Sequence, residues 1–168
     1  MRKSWTIFIA LLFILVPCSY ANSVELAKQG EGTIRMAHTG NYKLLTMGND
    51  RSEAIFEVSG LVVDAPESCP LYRATYLVFG SSHRFKDDYE ERGSVRFTRP
   101  DGDEVFMTYE AKGKVGTERK SNAVFVGGTD KCAGITGTGE ATGIVGFKPP
   151  KEGMSAGSSS NKLNWKIP

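Results

Sequence analysis

An all-β domain, either a closed antiparallel barrel or a sandwich, is the fold class this sequence predicts, on three observations. Apolar and polar residues alternate with a period near two along most of the chain beyond residue 31. Turn residues punctuate that alternation at short intervals. No segment beyond the first 21 residues carries a convincing 3.6-residue period.

The elements follow in chain order. Residues 1–21 have the three parts of a cleavable secretory leader. Arg2 and Lys3 give the positive end, and WTIFIALLFILV (5–16) gives the apolar run. Pro17 ends any helix, and Ser19-Tyr20-Ala21 puts small residues at −3 and −1 before Asn22. Twelve residues are short for a membrane span, which needs roughly 20, so no integral membrane segment is expected after cleavage. A polar arm follows over 22–31, and the β domain is expected over 32–168. Its strands read as GTIRMAH (32–38), YKLLTM (42–47), AIFEVSGLVV (54–63), LYRATYLVF (71–79), GSVRFTR (93–99), EVFMTYEA (104–111), NAVFVGG (122–128) and KLNWKI (162–167). Thr39-Gly40-Asn41, Gly48-Asn49-Asp50, Ala65-Pro66, Pro100-Asp101-Gly102 and Lys112-Gly113-Lys114 read as turns. FTRPDGDEVF (97–106) is the clearest hairpin, because Pro100 presets φ and Gly102 accepts positive φ. SSHRFKDDYEERG (81–93) is mostly charged and reads as a long exposed loop. The tail 148–161 reads as a mobile connection to a last strand whose Leu163, Trp165 and Ile167 share a face and could close a barrel.

Composition narrows the partners. The leader holds two of the 21 basic residues and none of the 19 acidic ones, so the remainder is balanced in charge. Balance removes the electrostatic reason to expect nucleic acid or an anionic membrane. Loss of Cys18 with the leader leaves Cys69 and Cys132, which in an oxidising compartment are a disulfide candidate. Closing that loop would stabilise the fold by about 4 kcal/mol in the chain-entropy view. Two cysteines without a nearby histidine do not complete a zinc site, and no metal or cofactor is expected.

The glycine-rich segment 127–146 holds seven of the 19 glycines. It lacks the Gly-Lys-Ser/Thr and the following helix of a phosphate loop, so we read a tight turn over 127–134 and a bent strand over 135–147. VFVGGTDKCAGITGTGEATG (124–143) resembles the glycine signature of the allene oxide cyclase/dirigent-like β-barrel superfamily, and is most similar to exported bacterial members of unassigned function. FTRPDGDEVFMTYEAKG (97–113) and the terminal NWKIP (164–168) are also similar to segments of that group. The sequence departs from the signature at Asp130, where glycine is usual, and at Cys132, where an aromatic residue is usual. Gly93-Ser94-Val95 also stands where bacterial members often carry a cysteine. The resemblance implies a single eight-stranded antiparallel barrel with a central cavity, whereas periodicity alone leaves the sandwich open. It also implies a bacterial origin, and with the leader a periplasmic or extracellular location.

No catalytic residues are expected. His38 and His83 stand in no nucleophile or metal-ligand spacing, and Asp87, Asp88, Glu90 and Glu91 read as a solvated cluster. Alternation offers four candidate ligand-binding residues: Arg73, Tyr76, Tyr109 and Glu110. An inward Arg73 would need Glu57 or Glu110 as partner; otherwise Arg73 and Glu110 form an outer cross-strand pair. The leading reading is an exported, soluble, non-enzymatic barrel holding a small apolar or amphipathic molecule. Beside it stand a protein-interaction module that uses loop 81–93 and an isomerase- or cyclase-like enzyme working by confinement.

Overall fold

The computed structural model describes residues 26–114, 117–145 and 151–168. The leader with Cys18, the first residues of the polar arm and residues 148–150 of the tail lie outside them. The eight strands are β1 (Gln29–Met47), β2 (Arg51–Asp64), β3 (Thr75–Phe85), β4 (Asp88–Thr98), β5 (Glu104–Lys114), β6 (Arg119–Gly128), β7 (Thr136–Val145) and β8 (Met154–Lys166). Each pairs antiparallel with the next, and β8 returns to β1, giving one closed barrel. The sandwich that periodicity left open is thereby excluded.

Inward and outward positions alternate as a barrel requires. Val105 and Met107 of β5 are buried, while Thr108 and Glu110 are exposed. The predicted last strand closes the barrel: Leu163, Trp165 and Ile167 are all buried. Trp165 lies over Gly30 across the β1–β8 ladder, and its Nε1 donates to Ala27 O at 3.0 Å. FTRPDGDEVF is a hairpin, with Phe97 opposite Val105 and Gly102 at φ 93°.

Several sequence expectations are corrected. Residues 32–38 and 42–47 are one strand, β1, which starts at Gln29 inside the segment assigned to the polar arm. Gly40 is not a turn; it is buried against Val58 and lets β2 approach closely. Gly113 likewise stays within β5, under the Tyr89 ring. The strand expected at 71–79 starts only at Thr75, because 70–73 form a turn with Arg73 at φ 55°. The long loop expected over 81–93 is two paired strands joined at Lys86-Asp87. Most of its charges sit on the outer face, where Glu90 and Asp88 meet Lys112 and Lys114 of β5 at 3.2 and 3.4 Å, while Glu91 points inward. A solvated barrel face and a loop have the same composition. The interaction module built on that loop loses its feature.

The two ends of the barrel differ. At one end, residues 65–74 between β2 and β3, the β4–β5 turn and residues 129–135 between β6 and β7 form a plug. The last connection contains a single 3₁₀ turn, Asp130–Cys132. Asp130 has φ 45°, which accounts for glycine being usual at this point of the signature, and aspartate tolerates the left-handed region better than most residues. Cys69, Pro70, Leu71, Cys132 and Ile135 are essentially fully buried in the plug. Each Leu or Ile so buried contributes about 1.5–3 kcal/mol.

The expected Cys69–Cys132 bridge is not formed. Both are free thiols that pack as small apolar groups, with Cys69 Sγ accepting from Leu71 N at 3.4 Å. An outer latch holds the plug: Arg99 Nη1 donates to Pro70 O at 2.8 Å, and Asp101 accepts from Arg99 and Lys131. Desolvation would raise the Asp101 pKa, but the bonds from Lys131 and Arg99 outweigh this and hold it at about 2.

Candidate functional site

The interior away from the plug changes character. Above Phe97, Val105 and Met107, the inward positions become small or polar. On β4 they are Gly93, Glu91 and Tyr89, and on β5 Tyr109, Ala111 and Gly113. On β6 they are Ala123, Ser121 and Arg119, facing Gly139, Ala141 and Gly143 of β7. The aromatic side chains lie over glycines directly across the ladders: Tyr109 over Gly93, Tyr89 over Gly113, Phe56 over Gly80 and Tyr76 over Gly60. A Cβ on Gly93 would sit 2.7 Å from Tyr109 Cε1, so this glycine is the space the ring occupies.

Glu91 is the hub. Its Oε1 accepts from Tyr109 Oη at 2.7 Å and from Arg119 Nη2. The Arg119 guanidinium also stands 5.6 Å from the centroid of the Tyr109 ring. The Glu91 and Arg119 side chains keep 16% and 23% of their exposure, so solvent reaches the pair. Burial would lower the Arg119 pKa, but the Glu91 carboxylate beside it raises it, so Arg119 is a cation. Burial and the same carboxylate push the Tyr109 hydroxyl above its usual range, so Tyr109 is a neutral donor. His38 of β1, half-buried, lies in the field of both charges. Burial first, and then Arg119, lower its pKa against an opposing pull from Glu91. Tyr89 Oη is buried without a hydrogen-bond partner, a cost that a ligand could relieve.

An ion pair inside a barrel stabilises less than apolar packing of the same volume would. Its presence away from the plug, while the plug end is packed with aliphatic side chains, marks this half of the interior as the part that departs from folding requirements. The larger described concavity lies elsewhere. It is a groove of about 680 Å³ in the barrel wall, lined by two outward cross-strand rows, Ala37–Leu61–Thr75–Thr98 and Thr39–Ser59–Leu77–Arg96, with His38, Gly60 and Tyr76 in the row between them. It is open, and its one cation, Arg96, already faces Glu104 at 3.7 Å. We place the candidate site inside the barrel, where charged groups converge.

No protein-family model matches the chain, and no curated protein sequence matches it. Among solved structures, the pterocarpan synthase dirigent protein GePTS1 superposes with a TM-score of 0.53. The match covers 98% of this chain and 100% of that one, at 8% identity. The fold is a dirigent-like barrel. At that identity the likeness carries the architecture and no residue roles.

Within the dirigent-like barrel the four sequence-derived candidates separate. Tyr109 is in the site, as the donor to Glu91. Tyr76 also points inward but lies deeper, against Phe97 at 5.6 Å between ring centroids, with Oη donating to Ala37 O at 3.3 Å. Arg73 is exposed in the turn before β3. Glu110 is exposed on the outer face, opposite Arg92, so neither the buried nor the cross-strand version of an Arg73–Glu110 pair is formed. Glu57 is exposed as well.

Sequence reasoning missed Glu91, Arg119, Tyr89 and His38 as site residues. Glu91 was grouped with Asp87, Asp88 and Glu90, which are exposed; it alone of the four points inward. The signal was there in the period of two. Tyr89, Glu91 and Gly93 share a face, and extending NAVFVGG backwards by three residues puts Ser121 and Arg119 on the face of Phe125.

Proposed function

We propose that this protein is an exported dirigent-like barrel that holds a small amphipathic molecule in the open half of its interior. The observation that carries the reading is the solvent-reached Glu91–Arg119–Tyr109 cluster inside a barrel whose plug end is apolar. Ligand sites combine an apolar lining with a few converging polar groups, and here Phe56, Val58 and Val95 are partly buried against the core beside that cluster. Export to the periplasm or the extracellular space rests on the leader pattern of residues 1–21.

A confinement enzyme of the isomerase or cyclase kind is the second reading, favoured by the same charged pair in the barrel. It differs in requiring that the bound molecule leave changed.

Native mass spectrometry of the protein purified from its own compartment tests the first reading. The expected spectrum shows a chain that begins at Asn22 and an added mass that disappears on mild unfolding. A bare chain in every preparation, or the same added mass on an Arg119→Met variant, would argue against the site. Recovery of the added mass as two interconverting species would favour the enzyme.

A further inference from the structure

The open-end cluster has a specific hydrogen-bonding pattern. Both bonds received by Glu91 converge on Oε1, so Oε2 carries none from the described residues. Arg119 spends Nη2 on that bond, which leaves further N–H groups of its five-donor guanidinium for another acceptor. The two side chains keep 16% and 23% of their exposure, so solvent reaches part of the pair. A free acceptor and further donors therefore stand side by side, on a pair whose charges cancel. Tyr89 Oη, two residues along the same inward face as Glu91, is also without a partner.

We infer that the ligand's head group is a neutral donor–acceptor pair, such as a carboxamide or lactam, seated with its N–H on Glu91 Oε2 and its C=O on Arg119. This rests on the reading of the open end as a binding site. A carboxylate head would gain Arg119 but meet the Glu91 anion. An ammonium head would gain Glu91 but meet the guanidinium. Either charge would also be partly desolvated without a full counter-charge. A carboxamide satisfies one donor and one acceptor at once and adds no charge. The apolar body then extends towards Phe56, Val95 and Met107, below the cluster.

Three probes on one skeleton test this by calorimetric titration of the purified protein at pH 7.5: 2-naphthamide, 2-naphthoate and 2-naphthylmethylammonium. The amide is expected to bind at least tenfold tighter than either charged probe. Glu91→Gln should transfer the preference to naphthoate, and Arg119→Gln to the ammonium, each by tenfold or more. Tighter binding of either charged probe to the unaltered protein overturns the inference and leaves the site standing. Failure of all three to bind overturns the site itself. The unaltered protein decides the question alone if a variant does not fold.

Discussion

Glu91 is held from two sides, and its two holders are not equivalent. Tyr109 gives it one neutral hydrogen bond, whereas Arg119 gives it a bond and the opposite charge. Removing Arg119 alone leaves a carboxylate in a partly desolvated barrel. We expect Arg119→Met to cost about 2–4 kcal/mol, below the fully buried range because solvent reaches the pair. The triple variant Glu91→Leu/Arg119→Met/Tyr109→Phe should cost less than about 1 kcal/mol, since it removes both charges and the hydroxyl that Glu91 accepted from, and adds apolar packing. Urea unfolding of the three proteins reads the difference. His38 gives a pH signature. Its pKa is lowered in the folded protein, by burial and by Arg119, from an unfolded value near 6.5. Below that value the unfolded chain binds more protons than the folded one, so this contribution is complete above pH 6.5 and falls as the pH falls. Melting temperatures between pH 7.5 and 5.5 should therefore decline less in His38→Gln than in the parent. At this scale the sequence is half legible. Alternation brings out Tyr76 and Tyr109 as inward residues, but an inward glutamate among Asp87, Asp88 and Glu90 looks like its solvated neighbours until the strand's register is known.

The β3–β4 hairpin turns the chain in two residues, and one of them, Lys86, has φ 54°. A side chain in the left-handed region costs roughly 1–2 kcal/mol against a right-handed one, and glycine avoids this at some cost in unfolded-state entropy. Lys86→Gly should raise stability by about 0.5–1 kcal/mol, seen as a higher urea midpoint with an unchanged slope. A lower midpoint would mean that the Lys86 contact with the Phe85 ring, at 5.5 Å, outweighs the backbone strain. Strand identity is well encoded by the period of two, and the hairpin at Pro100-Asp101-Gly102 by its turn residues. Strand length is not. Gly40 and Gly113 carry the composition of turns, yet they serve close packing against Val58 and Tyr89 within strands. Only the neighbouring strand distinguishes a glycine that reverses the chain from one that admits a side chain.

Across the whole molecule, the plug fills one end of the barrel with aliphatic side chains, and the Glu91–Arg119–Tyr109 cluster lies towards the other. The plug predicts thiol behaviour. Cys69 and Cys132 are buried, and burial pushes the Cys69 thiol up to about 11 and raises Cys132 as well. Both should escape a thiol reagent at pH 8 in the native protein and react with the kinetics of global unfolding. Rapid labelling of either in the native state would mean that the plug opens locally. Barrel closure was legible, because Leu163, Trp165 and Ile167 share one face of the last strand. The polar half was not. It is made by residues from different strands meeting at one end, and that meeting depends on the stagger of the strands around the barrel, which no local pattern encodes. The measurement that tests the central claim most directly is a backbone and side-chain NMR titration with 2-naphthamide. Shift changes concentrated on Glu91, Tyr109, Arg119 and their inward neighbours are predicted. Changes concentrated on the outer rows, at Thr39, Leu61 and Leu77, or none at all, would contradict the interior site.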